Sequence, residues 1–447
     1  MSMGPRSARS APATVRRTHT EGTGRLGYHS FTSSHLRMHF THRLYPLLGL
    51  VFGAACSSSE TTRPDPTPVV VTSLSPVTMS VVGRGDFKPS RYSGEIAVRG
   101  STAYTTSWNN GTTSSAFYIW DVSGTPLLVD SVIVDGARTL GDVAVSDDGS
   151  ALVVATESRG SLATYSLADP RKPVLLTRFA PAQIIVGVHT AEIGRVNGKL
   201  YGFLSIDAGG GALAQITIVD LSNPASPQEI FTKTIGSPLV HDTFVRDGLL
   251  FLGLWNDGVA IWDVGGGGKG GTPAAPVELG RLRTVNGKAH NIWWLKDPVT
   301  GSNRYAFVGE EGAGMIGVSS VGDVHVIDVS DMSAPREVAF YTVAGAGTHN
   351  FSVDEANGIL YAAYYNGGVR ALDVRGTLGT CTDAQRSLPA GSSVALCDLR
   401  KMGRELGIGL LDRGTPVYVW GVQFVGGAVY ASDMINGIWK MRPLARP

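Results

Sequence analysis

The chain is predicted to be all-β: a seven-bladed β-propeller closed by an N-terminal strand and preceded by a disordered leader. Three observations predict it. A short strand ending in Asp-Val or Asp-Leu recurs at Ile119 to Ser123, Ile218 to Ser222, Ile261 to Val264, Val326 to Ser330 and Ala371 to Val374. From Ile218 onward the copies stand about 40 to 70 residues apart, the period of a small antiparallel sheet that must stack on its neighbours to bury both faces; in the wider gap after Ile119, Ser166-Leu167-Ala168-Asp169-Pro170 replaces the motif. The composition, Gly 57 against 17% charged residues, describes a turn-rich chain with few long solvated helices. Inner strands start near Glu95, Asp142, His189, His241, His290, His349 and Trp420, one for each blade.

Taken in order, residues 1–37 hold a single acidic residue, Glu21, and precede a second start at Met38. They read as sequence upstream of the true start, with a transit-type leader as the alternative. Residues 38–55 have the parts of a signal peptide: a basic start through Arg43, then an apolar run from Leu44 to Ala55 too short to span a bilayer. Cys56 follows directly, so the segment resembles a bacterial lipoprotein signal. That resemblance implies lipidation of Cys56; cleavage without lipidation is the alternative. Residues 56–75, with Pro64, Pro66 and Pro68, read as an extended linker. Residues 76–447 are the propeller, with an insertion over 376–414.

Within a blade, the sixth unit is the clearest. An inner strand at Asn350 to Val353 is followed by a turn ending in Gly358, a strand from Ile359 to Tyr365, a turn at Asn366-Gly367-Gly368 and a strand from Val369 to Val374. Asn-Gly and Gly-Gly tolerate the positive φ of tight hairpins, and the runs between them are β-branched and aromatic. A fourth strand is expected at Gln228 to Thr234 in the third unit and at Glu337 to Val343 in the fifth. The last unit runs out before its fourth strand, so Thr78 to Gly83 is expected to supply it and remove the open sheet edges.

The runs Ile218-Val219-Asp220-Leu221-Ser222 and Val326-Ile327-Asp328-Val329-Ser330 resemble the LVIVD repeat of bacterial and archaeal surface propellers. The resemblance implies a propeller fold and an envelope location, and no defined reaction. With Cys56 set aside, Cys381 and Cys397 remain, both in the insertion. In an oxidising compartment they are expected to form a disulfide, the alternative being two free thiols.

The strongest functional clue is that His189, His241, His290 and His349 occupy the same place in four consecutive units. Equivalent residues at inner-strand starts face one mouth of the channel, where imidazoles can hold a transition metal such as Zn, Fe or Cu. Carotenoid-cleavage oxygenases resemble this chain in that four-histidine arrangement alone. The second strands end at the same mouth and are expected to bring Trp108, Trp255, Asp257, Glu310, Glu311, Tyr365 and Asp433 to it as ligand-binding groups. The competing reading is structural: a His-Asx pair at a strand entrance can hydrogen-bond the neighbouring blade.

A net charge of +1 removes the electrostatic term that drives nonspecific nucleic-acid binding. Gly312-Ala313-Gly314-Met315-Ile316-Gly317 fits a dinucleotide fingerprint but opens no helix, and Gly265 to Gly271 lacks the Ser or Thr of a P-loop. Two functions remain open. One is a monomeric, lipid-anchored envelope module, at the outer membrane, periplasm or cell surface, that binds a protein, glycan or small ligand. The other is a metal-dependent enzyme, an oxidoreductase or hydrolase, built on the histidine arc.

Overall fold

The computed structural model describes residues 68–86, 91–108, 114–206, 208, 213–236, 239–411 and 414–445. The leader, the signal segment, Cys56 and the linker as far as residue 67 lie outside the described residues. The chain folds as seven blades of antiparallel strands. Their inner strands are Tyr92–Arg99, Leu140–Val145, Val188–Val196, Asp242–Arg246, Ala289–Trp294, Phe351–Asp354 and Val419–Val425.

Stacking of blade on blade makes the core. Phe117, Leu140, Val154 and Tyr165 fill the space between blades one and two. Phe203, Leu250, Leu252 and Trp262 do the same between three and four. Each sheet thus buries both faces only because it has neighbours on both sides. The ring closes as expected: Val77–Gly85 pairs antiparallel with Gly437–Ala445, Thr78 opposite Leu444, as the outermost strand of blade seven.

The repeated aspartate ends the third strand and holds the following turn. Asp121 Oδ1 accepts hydrogen bonds from the Ser123 amide at 3.0 Å and its hydroxyl at 2.6 Å. Asp328 repeats this with Ser330 at 3.0 and 2.7 Å. This is the local turn chemistry that short Asp side chains favour. In blade four the turn is the glycine run, and Asp263 collects the amides of Gly265, Gly266, Gly267, Lys269 and Gly271. The P-loop near-match is therefore a cradle for the chain's own carboxylate.

Two segments depart from the repeat. The sixth blade's fourth strand, Glu405–Gly409, lies inside the span expected to be insertion and pairs with Val369–Asp373. The chain leaves the blade after its third strand and returns to complete it. On the way, Leu396–Asp398 adds in parallel to the outer strand of blade five, Cys397 opposite Ala339, which covers that edge. Cys381 and Cys397 are bonded to each other. The second departure is a hairpin, Gly312–Met315 with Ser319–Val321, between the second and third strands of blade five.

Candidate functional site at the channel mouth

Aligned by their inner strands, the seven blades present Gly94, Gly141, His189, His241, His290, His349 and Trp420 at one level. The next residues, Glu95, Asp142, Thr190, Asp242, Asn291, Asn350 and Gly421, form a level below. The lower level ties blades together. Asp142 accepts from the amide of Ala191 in the next blade at 3.0 Å. Thr190 donates to the carbonyl of His241 at 3.0 Å. Asn291, its amide oriented to suit its neighbours, donates to the His349 carbonyl at 2.6 Å and accepts from the Phe351 amide at 2.9 Å. Asn350 donates to Glu95 across the channel. Glycine at 421 makes room for that acid, since a Cβ there would stand 2.4 Å from Glu95 Oε1.

The structural need at the strand entrance is thus met by the second residue of each pair. Of the four histidines, His290 and His349 have no hydrogen bond at either ring nitrogen, whereas His189 contacts Glu157 and His241 contacts Glu311. Their rings run in a row, with centroids 4.3 Å apart from His189 to His241, 4.0 Å from His241 to His290 and 4.0 Å from His290 to His349. Trp420 extends the row at 4.4 Å, and Trp255 stacks on His241 at 5.0 Å.

Glu311, just beyond the second strand of blade five, closes over this row. Its Oε2 stands 3.3 Å from His241 Nε2 and 3.8 Å from His290 Nε2. Tyr365 donates to its other oxygen at 2.5 Å. Burial would raise the Glu311 carboxyl, but its contacts with His241 and Tyr365 hold it well below the usual carboxylate range. His290 is 2% exposed, and neither ring nitrogen has a hydrogen-bond partner. Burial first, then the neighbouring His349 and His241, push its pKa far below the usual imidazole value. The ring is therefore neutral, the form that binds metals.

Above the row lies a pocket of about 420 Å³. Its walls include Trp108, Trp255, Trp420, Tyr365, Tyr418 and Ile316. The extra hairpin arches over it from blade five toward blade seven: Ile316 packs with Tyr365, Tyr418 and Met434, and Tyr418 donates to the Ser319 carbonyl at 3.3 Å.

Comparison with known families matches two stretches, residues 212–234 and 299–343, to the LVIVD repeat. The chain carries LVIVD repeats. No curated protein matches it. The matched stretches hold the third and fourth strands of blade three and the second to fourth strands of blade five, including Asp220 and Asp328 of the turns described above.

The LVIVD propeller brings together most of the residues expected at the mouth: all four histidines, Trp108, Trp255, Glu311 and Tyr365. Three expected ligand-binding groups are placed otherwise. Glu310 points into blade five, 2% exposed, where it meets Asn286, Lys288 and His325, because adjacent residues of a strand face opposite sides. Asp257 is solvent-exposed in the hairpin turn after Trp255. Asp433 is buried but committed: it accepts from the amides of Tyr418 and Ile435, from Asn436 and from the Trp439 indole. Gly312 to Gly317 reads as a hairpin in the sequence, but its place over the pocket, Tyr418, and Glu157, which meets His189 Nδ1 at 3.4 Å and the Trp108 indole at 3.2 Å, were not legible there. All three depend on contacts between blades rather than on the repeat.

Proposed function

We propose that this LVIVD propeller binds a transition metal at its channel mouth and presents it to a small molecule in the aromatic pocket above. The observation that carries this reading is His290, buried with both nitrogens unpaired beside His241 and Glu311. An unpaired buried polar group costs about 1–3 kcal/mol, and a metal would remove that cost. His241, His290 and Glu311 offer three ligand atoms within 4.8 Å of one another, a set that suits Zn or Fe(II) with positions left open. Ligands about 2.1 Å from a metal stand about 3.4 Å apart at the tetrahedral angle. The His189–His241 and His241–Glu311 separations of 3.2 and 3.3 Å are close to that. An open coordination position would polarise a bound substrate or water.

The second reading is a binding module without metal chemistry. It is favoured by the tryptophan and tyrosine walls, which suit a ring-bearing or apolar ligand. In both readings the chain is lipidated at Cys56, held at the cell envelope by residues 56–75, and works as a monomer. The signal-like segment before Cys56 and the Cys381–Cys397 bond support that location. Metal analysis of the purified propeller decides between the readings: close to one equivalent of a transition metal, lost in His241→Ala and His290→Ala, is expected. Less than about a tenth of an equivalent after growth with each metal leaves only the metal-free reading.

A further inference from the structure

Beneath the histidine row the inner strands enclose a second cavity of about 360 Å³. Four carboxylates from four successive blades line it: Glu95, Asp142, Glu192 and Asp242. Arg246 is the one cationic side chain among its lining residues, and its Nη1 already serves Glu355 and the Trp294 carbonyl, both at 2.6 Å. The acids therefore face one another with little compensation. Burial, together with their mutual repulsion, drives the carboxyls of Glu95 and Glu192 well above the usual carboxylate range.

Two neutral groups also wait in this space. Thr243 lines the cavity, 4% exposed, and its hydroxyl has no partner. Asn350 lines it too, and although its amide nitrogen serves Glu95, its Oδ1 has none. An anion would be repelled here, and an apolar ligand would leave carboxylates and hydroxyl bare. A cation satisfies both kinds of group. The four acids come from separate blades and do not converge: among the described residues, the one group of three ligand atoms close enough for direct coordination is His241, His290 and Glu311. The cavity has space for on the order of ten waters at about 30 Å³ each. Hard divalent cations keep several waters and reach protein oxygens through them.

We propose that the channel holds one hydrated hard divalent cation among Glu95, Asp142, Glu192 and Asp242, with Thr243 and Asn350 completing its shell. This second site does not require a metal at the histidines. The test is equilibrium dialysis of the chelator-stripped full chain against radioactive calcium, with magnesium as competitor. One calcium per chain is expected, retained in His290→Ala. Affinity is expected to fall at least about tenfold in Glu192→Gln and in Asp142→Asn, each of which removes one charge. No hydrogen bond ties the Glu192 carboxylate to the described residues, so Glu192→Gln tests the site without disturbing the inter-blade contact made by Asp142. Three results would overturn the proposal: no saturable binding in the wild type up to about 1 mM, the weakest range of protein calcium sites; undiminished binding in Glu192→Gln; or loss of calcium in His290→Ala, which would put the ion among the histidines.

Discussion

The Nε2 atoms of His189 and His241, fifty-two positions apart in the chain, stand 3.2 Å from each other at the channel mouth. Two imidazoles meet in this way either by sharing one proton or by turning the same lone pairs toward one ion. The second arrangement leads to the first prediction. Zinc added to metal-free protein will raise its melting temperature; at a concentration one hundred times Kd the gain is about 2.7 kcal/mol. His241→Ala and His290→Ala will lose that gain. His290→Leu will lose it too, yet in metal-free protein it will match or exceed the wild type in stability, because the substitution removes an unpaired polar group. A metal-free His290→Leu protein destabilised by several kcal/mol would mean that the ring has a structural partner.

Ring closure gives the second prediction. Val77–Gly85 is the outer strand of the last blade, and Val77 and Met79 are buried in the core between blades six and seven. Removal of residues 76–85 will expose the edge of Gly437–Ala445 and lower the stability of the whole propeller in one cooperative transition. Thermal melting followed by circular dichroism measures it, and an unchanged transition would show that the strand is dispensable.

The architecture was legible because every blade repeats the same local solution: alternating strands, a glycine turn and an aspartate that closes the third strand. The histidine row was legible for the same reason, since equivalent positions in a ring must face a common axis. What could not be read is what each side chain does once there. His189, His241, His290 and His349 look the same in sequence as residues with a structural task, and only the structure shows that Thr190 and Asn291, which follow two of them, make the ties between blades. Glu310 and Glu311 are adjacent and chemically alike; the pleat sends one into the blade and the other over the histidine row. The sixth blade's late fourth strand was hidden by the insertion, which breaks the spacing on which repeat counting relies.

The glycine loop of blade four carries the third prediction. Asp263 is 1% exposed and accepts five amides, which outweigh its burial and hold its pKa at about 2. A carboxyl depressed from 3.8 stabilises the fold fully above that value and loses the contribution as pH falls toward 2. Asp263→Ala will therefore cost about 1–3 kcal/mol at neutral pH, with the loop amides left unpaired. The gap between variant and wild type, read from urea unfolding, will close below pH 3.8.

The insertion supplies the fourth. The Cys381–Cys397 bond joins residues 16 apart, and Cys397 is fully buried against blade five. Replacing both with serine will destabilise the insertion by about 3 kcal/mol, the value for a loop of that length. The effect will be read as faster amide exchange over residues 377–404, and equal exchange in both proteins would mean that packing alone holds the segment.

The last prediction concerns His325, 1% exposed inside blade five. Its Nδ1 is 2.7 Å from Glu337, and its Nε2 is 3.6 Å from Glu310. Burial disfavours its charge, but the two carboxylates outweigh that and raise its pKa from 6.5 to about 10. A raised imidazole pKa means that the ion pair stabilises the fold fully below pH 6.5 and loses that contribution as pH rises through about 10. His325→Gln leaves buried Glu337 without its cation and Glu310 with Lys288 alone, and will cost about 3–5 kcal/mol at pH 6.5, the value for breaking a buried pair from one side. Lysines and tyrosines also titrate near pH 10, so the wild type alone cannot report on this group. The difference between wild type and His325→Gln can, because those other groups are common to both. Denaturant unfolding at stepped pH should show that difference constant below pH 6.5 and shrinking toward pH 10. A difference independent of pH over that range would mean that His325 is held neutral and that its contact with Glu337 is an ordinary hydrogen bond.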